Sequence, residues 1–500
     1  MKNKRLVYNT ISSLIFQITT LICGFILPRL ILQNFGSEIN GLVNSITQFL
    51  NIIAFLELGV GAVVQSSLYK PLADNDTNMI SKIVVSAVNF FKLIARILFV
   101  YIIVLILAYP YIANQNFGWM YTACLIVAMG ISSFSQYYFG VVDRLLLTAD
   151  QRGFIQYTAQ SITLVMNTLA SIYLIKVGAS IHVIKLASSL IYFLRPCFLR
   201  LYVDRNYAID RNITYSEEPI KQKWNGVAQH IAAVVLDGTD NIVLTVFSTL
   251  SNVSIYSLYH LVICGVKQLF MSMTNGIQSL IGELWAKQKL NELNSSFGWF
   301  EWLIHTGTIL VFGCTGVLIL PFIQVYTSGI DDANYIQPLF AMLITIAHAG
   351  HCLRLPYSIM ILAGGHYKQT QNYYVIAAVI NIIVSIITVR KWGLIGVALG
   401  TLAAMLFHTI WMSRYTSTNL IRWPFTNILK QFLVDGIIAT IGIMATCSIT
   451  MERSSYLSWI FLAIRVGLIW FAVSLIINLL FYKEKVIKLK TVLYKHCIGI

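Results

Sequence analysis

The chain has 500 residues, 57% of them hydrophobic and only 11% charged, where a soluble domain carries about 25% charged residues. A large soluble helical protein would leave many apolar runs of about 20 residues uncovered, so the sequence reads as an all-α polytopic membrane protein. The net charge of +15 would suggest nucleic acid in a soluble chain; here the basic residues gather in connections on one side of the bilayer, facing an anionic leaflet, and no nucleic-acid partner is implied.

About fourteen spans, each near the ~20 residues that a ~30 Å core requires, are predicted at 9–33, 41–68, 83–109, 117–140, 154–176, 181–202, 226–249, 253–281, 299–323, 336–362, 372–390, 394–415, 431–450 and 457–482. With the N-terminus in the cytoplasm, most of the 35 Lys and Arg fall on the cytoplasmic side, and Arg29, Lys176, Arg390, Lys391 and Arg453 fall outside. That asymmetry predicts both termini inside. Lys2, Lys4 and Arg5 precede an apolar run too long for the core of a cleavable signal peptide. The longest cytoplasmic connection, Asp204 to Lys223, carries Arg205, Arg211, Lys221 and Lys223. It divides the chain into an N-lobe of six spans (1–203), a basic linker (204–223), a C-lobe of six spans (224–420), and a last pair of spans with a basic tail (421–500). An even number of spans per lobe predicts a pseudo-twofold axis along the membrane normal.

The opening hairpin, Arg29 to Lys70, sets the theme of the chain. Asn44, Gln48 and Asn51 fall on one helical face, and a polar stripe inside an apolar hairpin needs somewhere wet to point. Glu57 lies off that stripe. Either a break at Gly59-Val60-Gly61 turns it, or it faces a neighbouring helix. In span three, Asn89, Lys92 and Arg96 share a face. In span seven, His230, Asp237 and Asp240 lie on one side; two carboxylates so close disfavour joint ionisation unless a cation or proton sits between them. They read either as a coupling-ion site or as helix-helix salt bridges. Span eight aligns His260, Lys267, Thr274 and Gln278 on one face, echoing the stripe of span two. Arg354 sits beside Pro356 near the middle of span ten.

Catalytic signatures are absent: there is no GxxxxGK[ST], and His348 and His351 have no glutamate in metalloprotease register. The eight cysteines are scattered without a CxxC pair and read as small core residues, so no metal site is expected. Intramembrane charge remains, at about 2.5–3.5 kcal/mol per residue on insertion scales. Arg29, Lys92, Arg96, Lys267 and Arg354 read as the lining of one cationic cavity, suited to an anionic substrate; the alternative is pairing with Glu57, Glu283 or the span-seven aspartates. Gly393, Gly396 and Gly400 suit close helix packing.

Three short stretches carry a resemblance: Leu27-Pro28-Arg29; the Phe35-Gly36 turn with Asn40-Gly41-Leu42; and Phe55-Leu56-Glu57-Leu58-Gly59-Val60-Gly61. With the fourteen-span layout they resemble the polysaccharide repeat-unit flippases, the Wzx or polysaccharide-transport branch of the multidrug/oligosaccharidyl-lipid/polysaccharide (MOP) exporter superfamily. That family more often has Asp where this chain has Glu57. The resemblance implies a V-shaped bundle of two six-helix lobes plus two peripheral spans in the bacterial cytoplasmic membrane. It implies a transporter and not an enzyme, moving an undecaprenyl-pyrophosphate-linked oligosaccharide to the outer leaflet by alternating access for O-antigen or capsule synthesis. Membrane lipids and other polysaccharide assembly proteins are the implied partners. Related lipid II flippases use cationic groups in the first two spans and span eight, where Arg29 and Lys267 lie. Some relatives bind Na⁺ between spans seven, eleven and twelve, which here carry Asp237, Asp240, Asn381 and Thr401. Span eleven has no carboxylate, so a proton or the membrane potential is an equal candidate for coupling, and no other cofactor is implied. The competing readings are a cation-coupled multidrug exporter of the same fold and a membrane polysaccharide polymerase. The latter needs a substantial outer loop, and the largest predicted one, Thr327 to Tyr335, is short.

Overall fold

Inside a bilayer every backbone N–H and C=O must be satisfied within the chain, which for single apolar runs means helix. The structure, a computed structural model, describes residues 2–113, 117–220, 238–421 and 423–498; among them there are helices and no strand. In chain order they are α1 (Lys2–Asn51), α2 (Ala54–Asp74), α3 (Thr77–Ile112), α4 (Trp119–Ser135), a π-helical turn (Gln136–Gly140), α5 (Val141–Ala149), α6 (Gly153–Lys176) and α7 (Ile181–Asn206). Then come α8 (238–247), α9 (Leu250–Ala286), α10 (Leu290–Tyr326), α11 (Pro338–Leu353), α12 (Leu355–Ala363), α13 (Tyr367–Trp392), α14 (Leu394–Asn419), α15 (Phe425–Thr446), α16 (Tyr456–Phe481) and α17 (Lys483–Ile498). Among the described residues, 12 helical segments are long and apolar enough to cross a membrane. The chain is an all-helical polytopic membrane protein. Twelve differs from fourteen for two reasons. The first predicted span and the start of the second share α1, and half of span seven falls on residues outside those described.

The local reasons for these elements are legible. α1 is two helices joined at Gly36, whose φ of 81° suits glycine and few other residues. The Asp76 side chain accepts from the Met79 N–H and starts α3. Ser455 does the same for α16 through Ser458. One expectation about a break needs correction. Gly59-Val60-Gly61 does not interrupt the helix; the turn lies at Ile52-Ile53, and a Cβ at Gly61 would lie 3.5 Å from the Leu145 side chain. Span ten is one candidate span, Pro338–Ala363, as expected, but its helix is interrupted for one residue at Arg354, because Pro356 lacks an N–H for the carbonyl of Cys352 and its ring crowds that carbonyl.

The chain forms two compact units, Met1–Ser257 and Leu258–Ile500. Their boundary lies inside α9. The physical reason is a polar seam in the first unit. Ser37 meets Ser251 (3.3 Å), Asn40 donates to Ser254 (2.8 Å), Tyr109 donates to Ser45 (2.7 Å), and the Ser45 and Thr245 hydroxyls lie 2.8 Å apart. A Cβ at Gly41 would collide with the Leu250 carbonyl. Small residues let the helices approach until short side chains can bond across, as in other membrane interfaces. This seam fastens α8 and the start of α9 to the second half of α1.

The described part of the basic connection is also fastened down. Arg211 pairs with Asp204 and reaches Asp143 at 3.4 Å, Glu218 accepts from Ser86, and Tyr207 donates to Asp150 at 2.6 Å. Burial, then the bond to Asp150, pushes the Tyr207 phenol up from its ordinary range.

Candidate functional site

In the first unit, the segment 37–51 buries most of its surface. Asn44, Thr47, Gln48 and Asn51 form its open edge, with residues 41–43, 45, 46, 49 and 50 buried. Asn44 donates to the Asn40 carbonyl at 2.9 Å. Arg29 is half-buried on α1. On α3, Asn89 and Arg96 are exposed and Lys92 is half-buried, its ammonium 5.6 Å from the centre of the Tyr138 ring. Among the described residues, neither Lys92 nor Arg96 has a carboxylate partner. Glu57 is 8% exposed and paired with Arg144 of α5, so it faces a neighbouring helix. Asp240 is 3% exposed and accepts from Tyr256 at 2.8 Å; Asp237 and His230 lie outside the described residues.

The π-turn opens a further polar site. A π-turn re-aims the side chains beside it and recurs at functional positions. Here it presents Gln136, which accepts from Arg195 of α7 at 3.1 Å. Around them lies a cleft of about 300 Å³ lined by Ser132, Ser133, Gln136, Gln160, Tyr192 and Arg195.

In the second unit, His260, Lys267 and Gln278 are half-buried along α9. The His260 ring lies 5.6 Å from that of His348, whose two ring nitrogens are buried without a hydrogen-bond partner. Arg354, expected on an open cavity wall, is instead 6% exposed, enclosed at the break between α11 and α12. It pairs with His408 and donates to His351 at 3.1 Å. Asn381 donates to Thr401 at 3.1 Å, joining α13 to α14. That contact forms where Gly396 and Gly400 let the two backbones meet; a Cβ at Gly396 would lie 2.5 Å from the Thr388 backbone. Asn381 and Thr401 thus come together in the second unit, whereas Asp240 belongs to the first.

A second network in this unit involves residues that sequence reasoning passed over. Glu301 is 1% and Asp435 3% exposed. Glu301 accepts from Tyr357 (2.8 Å) and Trp423 (2.9 Å). Asp435 meets His305 at 2.6 Å and accepts from Gln431 at 3.0 Å. Both carboxylates fall within or beside predicted spans nine and thirteen, so the signal available was an acidic residue at membrane depth. Arg144 falls in the predicted connection 141–153 and Arg195 inside predicted span six, and sequence reasoning singled out neither. Among the described residues, no three His, Cys, Asp or Glu side chains converge to hold a metal ion.

By fold, the chain matches an inward closed conformation of the lipid II flippase MurJ with a TM-score of 0.72, at 17% identity, over 96% of this chain and 100% of that one. It matches an inward-facing multidrug MATE-family transporter of the MOP superfamily at 0.62, with 14% identity, over 80% and 96% of the two chains. The chain has the MOP fold. A MOP superfamily transporter from Pyrococcus furiosus, whose reversed pocket polarity suggests a different function, matches at 0.55 and 14% identity, over 83% and 96%. No family model and no curated protein matches the sequence. Proteins of the MOP fold named here are transporters, and the sites above are the polar and charged positions that this chain supplies to that fold.

Proposed function

We propose that the chain is a MOP-fold flippase that moves undecaprenyl-pyrophosphate-linked oligosaccharide repeat units from the cytoplasmic to the outer leaflet of the bacterial inner membrane, both termini inside, for surface polysaccharide assembly. The likeness to a lipid II flippase along essentially the whole length of both chains carries the reading. The charge pattern supports it. Lys92 and Arg96 lack carboxylate partners among the described residues, and Arg195 bonds an amide instead of an acid. Arg grips phosphate through paired hydrogen bonds, and Lys acts as a point charge. In this reading Arg29, Lys92, Arg96 and Lys267 attract the diphosphate, while Arg354, enclosed and paired with His408, holds α12 to α14. Asn44, Gln48, Asn51, His260 and Gln278 offer hydrogen bonds to sugar hydroxyls, and Asp237, Asp240, Asn381 and Thr401 are the positions for a coupling Na⁺ or H⁺. A cation-coupled multidrug exporter is the second reading, favoured by the MATE likeness at TM-score 0.62.

The deciding experiment reconstitutes the full chain in liposomes. It follows transbilayer movement of a short undecaprenyl-pyrophosphate oligosaccharide under imposed Na⁺, H⁺ or voltage gradients. Protein-dependent movement is expected. Export of a cationic dye with no glycolipid movement would establish the exporter instead. Lys92→Glu and Lys267→Glu are each expected to reduce movement to background with membrane insertion intact. Full activity in both variants would remove the phosphate-attracting role.

A further inference from the structure

The buried network around Glu301 does more than satisfy polar groups. It runs Glu301, Tyr357, His305, Asp435, across α10, α12 and α15, and each of the four is at most 3% exposed. Its hydrogens can be counted. Tyr357 has one hydroxyl hydrogen, and it goes to Glu301 Oε1 at 2.8 Å. The Tyr357 oxygen lies 3.4 Å from His305 Nε2, so at that contact the tyrosine accepts and the imidazole donates. His305 Nδ1 is 2.6 Å from Asp435 Oδ2, a contact that also requires a hydrogen. Neutral histidine has one N–H, which serves the 2.6 Å Asp435 contact; the longer Tyr357 contact gains its donor when the ring carries a second proton. The extra proton belongs to the His305–Asp435 pair. The remaining carboxylate oxygens are already engaged: Asp435 Oδ1 by Gln431 and Glu301 Oε2 by Trp423.

From this arrangement we propose that Glu301, Tyr357, His305 and Asp435 form a proton-binding relay that holds one exchangeable proton in the second unit and passes it between its two carboxylate ends. The step balances without any other reactant. The Tyr357 O–H bond breaks as a Glu301 O–H bond forms, and the His305 Nε2–H bond breaks as the Tyr357 O–H bond re-forms. The charge moves as one proton from the imidazolium to the Glu301 carboxylate. His305 is left neutral, its Nδ1–H still donating to Asp435. The 3.4 Å contact is the long step and must shorten for transfer.

The charged and titratable groups around the relay favour one end as its entrance. Lys485 of α17 donates to the Gly298 carbonyl at 2.8 Å, one helical turn before Glu301, and lies 6.0 Å from the Trp423 ring and 4.9 Å from that of Tyr482. Lys430 of α15 lies 5.1 Å from the Tyr482 ring. Burial pushes the Lys485 ammonium down to about 8, opposed by the charge of Glu301 and reinforced by that of Lys430. A group that can shed a proton near neutral pH thus stands at the Glu301 end. His305 lies about one turn beyond Glu301 on α10, roughly 6 Å along the helix.

The relay is distinct from the span-seven carboxylates. That it holds a proton is independent of the transport reading; that the proton drives transport rests on it. The test has two arms on the full-length protein. In the first, infrared difference spectra of the purified protein are recorded across a pH titration in H₂O and D₂O. The wild type is expected to show a protonated-carboxyl C=O band that shifts in D₂O. Glu301→Gln and Asp435→Asn should each remove or displace it, and the conservative Tyr357→Phe should move its titration by breaking the link. A spectrum unchanged in all three variants would overturn the proposal. In the second arm, glycolipid movement under a pH gradient is expected to fall at least tenfold in Tyr357→Phe, while voltage-driven movement persists. Equal pH-driven rates would overturn the coupling. If the wild type moves no glycolipid at all, the flippase reading fails and the infrared arm alone decides the relay.

Discussion

Arg144→Ala is expected to destabilise the protein by roughly 3–5 kcal/mol, because it leaves the Glu57 carboxylate buried without its counter-charge. Glu57 is 8% exposed, so water cannot substitute fully for the guanidinium. The double variant Glu57→Gln/Arg144→Gln removes both charges and should recover most of the loss, since two neutral amides cost far less to bury than one carboxylate. Thermal unfolding in detergent of the wild type, Glu57→Gln, Arg144→Gln and their double variant gives the coupling energy directly. Equal stability of the single and double variants would mean that the pair contributes shape and not charge. The result bears on the resemblance drawn from this stretch. Glu57 occupies its acidic position, and its observed partner is an arginine on α5, which is a structural role.

The second large effect is expected at Gly41. A single methyl group there has no room against the Leu250 carbonyl, and a backbone atom cannot swing aside as a flexible side chain can. Gly41→Ala should therefore push α9 away from α1, stretching the Asn40–Ser254 and Ser45–Thr245 bonds, at a cost of about 3 kcal/mol. Gly436→Ala is the matched control. A Cβ there meets nothing within 4 Å, and the substitution should be neutral or stabilising by about 0.5–1 kcal/mol, as for alanine in a helix interior. Similar melting temperatures for the two variants would show that the seam tolerates expansion.

The fold was largely legible because bilayer thickness fixes helix length, so hydropathy alone finds the spans. The polar edge of Asn44, Gln48 and Asn51 was legible for the same kind of reason, since helical periodicity determines which residues share a face. Partners were not. Arg144 meets Glu57 across 87 residues and His305 meets Asp435 across 130, and nothing in a single sequence says which span will lie beside which. Local chemistry misled at one break. Gly59-Val60-Gly61 suggested a break, but packing carries the helix through it. Pro356 leaves span ten a single span, as expected, though its missing N–H interrupts the helix at Arg354.

That interruption has a consequence for the order in which the protein can be made. The carbonyl of Gly350, just before the break, accepts from Thr409, and that of Tyr357, just after it, lies 3.4 Å from the Thr416 hydroxyl. Arg354 pairs with His408. All three partners lie on α14, more than 50 residues downstream, so the ribosome delivers them several seconds later at about 5–20 residues per second. Until then, Arg354 has His351 beside it on α11 but not His408, and the Gly350 and Tyr357 carbonyls lack only their cross-helix threonine contacts. Span ten therefore completes these contacts only once span twelve has been synthesised.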